Sequence, residues 1–350
     1  MWIMKKSMVK VDIEYIAMKL GLSKSTVSKA LNGRSDVSEK TLKKVRSFAE
    51  KLNYTPNRLA QALKMKKSNL IGVVMHEMRH DFFVDIAHSI TKEARQNGYQ
   101  AIFASSDGSA KNEVAIIGDL VSRYIDGLII IPCLGENAFH LHELAMEDYP
   151  CVIVDNYIEG LDIPFVGTDF KEGGYLATRL LLENGHRNIA FILGQQKLSS
   201  TPERIAGYQH ALQEENIPLK EEHVKYGSYT AESGYAHAKA LLRESPEITA
   251  ILCANTDLSE GVSKAITESG REIPRDISLM DFGGVYFSAV DQQNEKIGQM
   301  ATQMLLKQIN GEEVARKTLI SPTMINRKSV LSMFQGRAGR ILPTSLTTCI

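Results

Sequence analysis

The chain has 350 residues, of which 43% are hydrophobic, with 41 Lys/Arg balanced by 41 Asp/Glu and only four cysteines. That length exceeds one ordinary domain, the apolar share can fill packed cores, and no run nears the roughly 18 apolar residues of a membrane helix. The zero net charge hides a strong polarity: residues 1–68 carry 16 Lys/Arg against 5 Asp/Glu, a local +11, which leaves −11 for residues 69–350. A basic head gains from counterion release on phosphates, so a nucleic-acid partner is the natural expectation.

Residues 12–32 read as two short amphipathic helices around the turn Gly21-Leu22-Ser23. Ile13, Ile16, Ala17 and Leu20 recur at helical spacing on the first helix. Gly21 stands where a helix ends in a left-handed residue, and Ser23 is placed to cap the next one. Val27, Ala30 and Leu31 form the inner face of that second helix. Its outer face carries Lys24, Ser25, Thr26, Ser28, Lys29 and Asn32, the short polar and cationic equipment of a recognition helix in a major groove. A third helix starts at Ser38-Glu39-Lys40-Thr41, with Ser38 as cap, and packs through Val45, Phe48, Ala49 and Leu52. After Tyr54-Thr55-Pro56-Asn57, residues 58–64 are helix-prone but too short to be stable alone. That segment is expected to order only against its own copy in a dimer or against DNA. Leu63 is placed as an apolar wedge between base steps, with Lys64, Lys66 and Lys67 suited to phosphates.

The body alternates apolar runs with amphipathic stretches. Strands are expected at Leu70–Met75, Ala101–Ala104, Leu128–Ile131 and Val152–Val154, then at Ile189–Leu193, Ala250–Cys253, Ile277–Met280 and within 285–290. Helical periods lie at 84–97, 171–184, 202–215 and 231–243. Continuous apolar strands alternating with helices predict parallel sheets covered on both faces, in two lobes with a cleft beyond the strands' carboxyl ends. The expected fold class is therefore α/β: an all-α helix-turn-helix headpiece joined to a two-lobed core with parallel sheets.

Residues 11–64 resemble the headpiece of the LacI/GalR family of bacterial transcription regulators. The resemblance rests on Gly21-Leu22-Ser23, Thr26-Val27-Ser28, Leu31-Asn32-Gly33, Val37-Ser38-Glu39, Tyr54-Thr55-Pro56-Asn57 and Leu59-Ala60-Gln61-Ala62-Leu63. The body is similar to the same family, whose core resembles periplasmic sugar-binding proteins, through Ile71-Gly72-Val73-Val74, Phe82-Phe83, Gly167-Thr168-Asp169, Glu203-Arg204, Gly207-Tyr208 and Glu232-Ser233-Gly234-Tyr235. The resemblance implies that Lys24, Ser25 and Lys29 read base edges of a near-palindromic operator in double-stranded DNA, and that Leu63 enters the minor groove. Ser23, Tyr54 and Asn57 complete the DNA-binding set it implies. It likewise implies an effector site at Phe82, Asp169, Arg204 and Asp257, with a sugar or sugar phosphate as ligand and a homodimer as the assembly. Arg204 would offer a planar fork to hydroxyls or a phosphate, Asp169 would accept from hydroxyls, and Phe82 would stack on a sugar face.

The chain departs from the family pattern at several places, among them a spacing from Asn255-Thr256-Asp257 to Gly261 that is one residue shorter than usual. Lys29 stands where Arg is common, and a lysine is a point donor rather than a fork. The loop after the first strand reads Glu77-Met78-Arg79-His80-Asp81-Phe82-Phe83, with His80 and Asp81 where Asn and Pro are usual. The late Phe-Asp-Asp has become Phe282-Gly283-Gly284, which removes a carboxylate from the cleft, and the next strand follows early. A catabolite-control regulator answering to a phosphorylated phosphocarrier protein is thus an alternative reading, and a sugar-binding protein without regulatory function is another.

Enzyme motifs are absent: there is no Gly-x-Gly-x-x-Gly after the first strand, no Walker-type loop, no His-Glu-x-x-His and no Gly-x-Ser-x-Gly. His76, His80, His88, His140 and His142 show no metal-ligand pattern, and no metal or cofactor is expected. Cys133, Cys151, Cys253 and Cys349 lack paired spacing and read as reduced thiols in a cytoplasmic protein. The expected boundaries are an extension over 1–10, the headpiece over 11–56, a hinge and linker over 57–68, the core over 69–328 and a disordered tail over 329–350. Met1, Met4 and Met8 are all candidate starts, and no secretory leader is legible.

Overall fold

The computed structural model describes residues 12–31, 36–52, 54, 67–133 and 138–336. Two compact units divide after Ser68.

In the first unit, α1 (Ile13–Leu20), α2 (Lys24–Leu31) and α3 (Glu39–Lys51) form a three-helix cluster. Asp12 caps α1 by accepting the Tyr15 N–H at 2.8 Å, and Ser38 caps α3 by accepting the Thr41 N–H. Gly21 ends α1 at φ 65°, a left-handed residue at the position the turn demands. Among the described residues the unit's core is made of the buried Ile16, Ala17, Val27, Ala30, Val45 and Ala49. Phe48, Leu52 and Tyr54 pack on them from the edge. The expected faces of all three helices are the observed ones. Asn32, Asn57 and Leu63, with the expected hinge over 57–64, lie outside the described residues.

The second unit holds two six-stranded sheets. The first runs β11–β5–β4–β3–β1–β2 and the second β12–β10–β9–β8–β6–β7. All pairings are parallel except β10 with β12. The N-lobe contains β1 (Leu70–Met75), β2 (Gln100–Ser105), β3 (Gly127–Ile131), β4 (Cys151–Val154) and β5 (Phe165–Thr168), with α4 (Asp81–Gln96), α5 (Ala110–Ser122) and α6 (Phe139–Met146). The C-lobe contains β6 (Ile189–Leu193), β7 (Val224–Tyr226), β8 (Ala250–Cys253), β9 (Ser278–Phe282) and β10 (Ser288–Asp291), with α7 (Phe170–Glu183), α8 (Ser200–Glu214), α9 (Ala231–Glu244) and α10 (Thr256–Glu268). Then α11 (Asn294–Ile309) returns to the N-lobe, burying Ile297, Ala301 and Leu305 against Ile71, Ile86 and Ile129. After it, β11 (Lys317–Ile320) joins the first sheet and β12 (Thr323–Ile325) the second.

The chain therefore passes between the lobes three times. The passages are tied together: the Asp169 N–H donates to Ile320 O at 3.0 Å, and Thr168 Oγ1 donates to Gln292 O at 3.1 Å. Central strands β3, β4, β5, β6, β8 and β9 are buried at every residue, as sheets covered on both faces require. In the C-lobe two glycine contacts let helices touch backbone to backbone. A Cβ at Gly174 would come within 2.3 Å of Arg204 O, and one at Gly207 within 2.0 Å of Lys171 O. This close packing fixes the register of α8, and with it the position of Arg204.

One expectation is corrected. The tail expected to be disordered from residue 329 is tied to the C-lobe through residue 333. Ser329 Oγ donates to Leu279 O at 2.6 Å, His186 Nε2 lies 3.1 Å from Leu331 O, and the Met333 N–H donates to Asn184 O. Residues 337–350 lie outside the described ones.

Candidate nucleic-acid interface and effector cleft

On the headpiece, Ser23, Lys24, Ser25 and Lys29 are exposed and Thr26 and Ser28 half-buried, so the outer face of α2 is open to a partner. Ser23 Oγ accepts the Thr26 N–H at 3.1 Å and shares hydroxyl contacts with Ser25 and Thr26 at 2.9 and 2.8 Å. The cap that starts the helix thus also aligns three hydroxyls at its leading end. Lys24 is paired with Glu14, and Lys29 with Asp36 at 2.5 Å. Tyr54 rests against the headpiece core, and burial, with Asp12 nearby, pushes its hydroxyl pKa up. Its ring is thus fixed by packing.

In the core, the carboxyl ends of both sheets open on the cleft between the lobes, where α/β sheets bind ligands. Two groupings of side chains stand there. The first centres on Arg204, which is only 4% exposed. Its guanidinium lies between two rings, 3.9 Å from the centroid of Phe170 and 4.6 Å from that of Phe282. One Nη1 hydrogen bond reaches Tyr229 Oη at 3.3 Å, and Nε has no partner. Tyr229 fits because residue 194 is glycine: a Cβ there would strike the ring at 2.1 Å. One turn earlier on α8, Thr201 Oγ1 is also buried and unpartnered.

The facing wall comes from the N-lobe. Asp155 follows β4 directly, with φ 74°, a left-handed backbone that is uncommon outside glycine and gathers at ligand sites. Burial pushes its carboxyl up to about 6, while Arg204 draws it back down. Asn156 donates from Nδ2 to Asp155 at 2.6 Å and leaves its buried Oδ1 unpartnered. The Tyr157 N–H donates to Ser199 Oγ at 2.9 Å, which pins this wall against the start of α8. The corner therefore presents a cation, an acceptor and a hydroxyl, all buried, with hydrogen bonds unmade.

The second grouping joins the lobes. His80, at the N-terminus of α4, contacts Glu77 at 2.7 Å through Nε2 and Asp257, in the first turn of α10, at 3.2 Å through Nδ1. Burial pushes the Asp257 carboxyl up, and His80 opposes that shift. The replacement of the usual Asn by His80 is thus a change of contact as well as of residue: the longer ring reaches the opposite lobe.

The two remaining expected effector residues have local duties. Asp169 caps α7, accepting the Glu172 N–H at 2.9 Å, and sits at the first passage between lobes. Phe82 packs edge-on to Phe83 at 5.0 Å, against the N-lobe core. Arg204 and Asp257 thus fall in different groupings, and Asp169 and Phe82 are engaged in capping and packing. Sequence reasoning missed Asp155, Asn156, Thr201 and Tyr229. The first two were available, since they follow an expected strand at its carboxyl end. The late Gly283-Gly284 is a tight turn: φ is 147° and 81°, and a Cβ on Gly283 would meet Thr256 Oγ1 at 2.4 Å. The turn is held by fully buried Asp281, which accepts from Ser259 Oγ at 2.6 Å and from the Gly284 N–H at 3.0 Å. The carboxylate lost from the cleft edge is matched by one placed behind it. Among the described residues no group of His, Cys, Asp or Glu could hold a metal ion, and no helix is long and apolar enough to cross a membrane.

A basic helix-turn-helix unit and a two-lobed α/β unit with a polar cleft define a ligand-responsive DNA-binding protein. Residues 12–57 match the family described as bacterial regulatory proteins, lacI family, and residues 68–328 match periplasmic binding proteins and the sugar-binding domain of that family. The chain belongs to the LacI family of transcription regulators and is not an enzyme. It is 30% identical to the ribose operon repressor of Haemophilus influenzae, covering 91% of this chain and 98% of that one. It is 32% identical to the transcriptional repressor PurR of Photorhabdus laumondii, over 91% and 96%. The lac repressor dimer bound to operator and the anti-inducer ONPF superimposes with a TM-score of 0.80 at 26% identity, over 92% and 99% of the two chains. A complex of the regulator CelR with cellobiose gives 0.69 at 25%, over 91% and 100%.

Proposed function

We propose that this protein is a cytoplasmic, homodimeric repressor of carbohydrate-utilisation genes, whose affinity for a near-palindromic operator is set by a small sugar-type effector in the cleft. The headpiece reads the operator through the outer face of α2, with Lys24, Ser25 and Lys29 at base edges and Ser23, Thr26, Ser28, Asn32, Tyr54, Asn57 and Leu63 completing the contact set. The effector lies against Arg204, Asp155, Asn156 and Thr201, and its occupancy changes how the lobes close. That change of closure is what alters operator affinity.

The observation that carries the effector reading is Arg204. A guanidinium buried between two rings with Nε unpartnered is costly in a protein that keeps it only for itself. Beside an unpartnered amide oxygen and hydroxyl, it forms a set that a polyhydroxylated ring satisfies: the hydroxyls accept from arginine and donate to Asn156 and Asp155. Phe170 and Phe282 are spent on the guanidinium, so the aromatic face left for a sugar is that of Tyr229. A phosphocarrier partner is not required, because the cleft keeps polar equipment of its own.

The test is thermal stability of the full-length protein against sugars, sugar phosphates, sugar acids and purines. A ligand at 100 times its dissociation constant adds about 2.7 kcal/mol to the folded state. A true effector should raise the melting temperature by several degrees and change operator binding in the same concentration range. Purine hits alone would replace the sugar reading, and no hit of any class would remove the small-effector reading.

A further inference from the structure

The recognition helix presents its two cations already engaged. Lys24 meets Glu14, from the first turn of α1, and Lys29 meets Asp36, from the segment entering α3. All four side chains are more than half exposed, at 61% and 62% for the first pair and 51% and 55% for the second. Both carboxylates come from outside α2, so these are tertiary contacts rather than pairing along one helix. The outer face of α2 therefore offers two donor–acceptor pairs in place of two bare positive charges.

We infer that Glu14 and Asp36 are specificity-determining residues of the DNA interface, holding Lys24 and Lys29 off the phosphates until base edges satisfy both members of each pair. This rests on the reading that the two lysines face the major groove. A bare lysine is a mobile point charge that any phosphate satisfies, and such contacts carry no sequence information. Phosphates offer acceptors only, so a lysine that turns to the backbone leaves its carboxylate beside like charge. Base edges offer acceptors together with the amino donors of cytosine N4 or adenine N6, so a correctly placed base pair serves lysine and carboxylate at once. In a head with a local charge of +11, non-specific attraction is a real competitor, and the two carboxylates act against it locally.

The experiment uses the full chain as wild type, Glu14→Gln, Asp36→Asn and Lys24→Ala/Lys29→Ala. Each is titrated with a pool of random duplexes long enough for two half-sites, and with the duplex that wild type enriches from that pool. Exposed pairs are weak, so each neutralisation should raise affinity for the pool by about threefold. Affinity for the enriched duplex should stay or fall, which narrows the ratio of the two affinities. Melting curves should match wild type, since all four positions are exposed. An unchanged ratio in both neutral variants, with the lysine variant defective, overturns this inference alone. A lysine variant that still binds the enriched duplex at full strength overturns it together with the assignment of Lys24 and Lys29.

Discussion

The two corners of the cleft are built from similar residue types and left in opposite states. At the Arg204 corner, buried groups lack partners: Arg204 Nε, Thr201 Oγ1 and Asn156 Oδ1 make no hydrogen bond. At the His80 corner, half-exposed groups are partnered by one another across the lobes, Glu77 to His80 to Asp257. Unmade bonds that are buried are expensive and mark where something else is meant to sit, while surface ion pairs are cheap and readily exchanged. On the proposed function the Arg204 corner is the binding element, and the His80 corner is a contact between lobes.

The largest expected effect comes from replacing Arg204 by Met. Methionine fills a similar volume between Phe170 and Phe282 and removes a buried charge whose Nε is unsatisfied. The free protein should melt below wild type at neutral pH, and by less as the pH falls toward 4, because Asp155 loses the cation that opposes its burial. Effector stabilisation should vanish. A variant that loses stability but keeps its ligand shift would reverse the comparison and make Arg204 a structural residue.

Asp155→Asn sharpens the same corner. The folded carboxyl is held up at about 6, above its usual value near 3.8. A raised carboxylate pKa means that the folded state takes up the proton more readily than the unfolded chain. Its penalty is absent below about pH 4, grows between pH 4 and 6, and is complete above that. Removing it should raise stability at neutral pH by about 3 kcal/mol and flatten the pH dependence across that window. Denaturant titrations at pH 4, 6 and 8 measure both. Equal gains at all three pH values would mean that Asp155 is already well solvated. Effector binding should weaken in the same variant, since the amide is a poorer acceptor for hydroxyls.

These two residues also show where sequence reading stops. The three helices of the headpiece were legible, because their signals are local: Ser23 and Ser38 cap helices three residues on, and Gly21 ends one beside it. The strands β1, β6 and β8 were legible as apolar runs because their burial on both faces leaves no other pattern. Arg204 could be placed only through resemblance, and the ring pair around it joins residues 170, 204 and 282, which no spacing links. The return of α11 to the N-lobe is likewise invisible locally, since an apolar stripe at helical spacing does not say which sheet it covers. Asp155 fell between: its place after a strand was readable, but the Arg204 charge that acts on it comes from the other lobe.

The smallest expected effect tests the contact between lobes. His80 and Asp257 are 38% and 24% exposed at the side chain, so their contact is worth no more than about 1 kcal/mol. His80→Asn restores the usual side chain, too short to hold Glu77 and Asp257 together. Denaturation of the two single variants, His80→Asn and Asp257→Asn, and of the double should give a coupling energy of about 0.2–1 kcal/mol. The sign of the functional effect follows from geometry. A contact that spans the cleft mouth favours closure without ligand, so its loss should open the free protein and lower effector affinity by a few fold. Small-angle scattering should then show a larger radius for free His80→Asn than for free wild type, with the two equal once effector is bound. Zero coupling together with unchanged scattering would leave the two corners unequal only in burial, with the lobes held by their three chain passages and by contacts such as Tyr157 to Ser199.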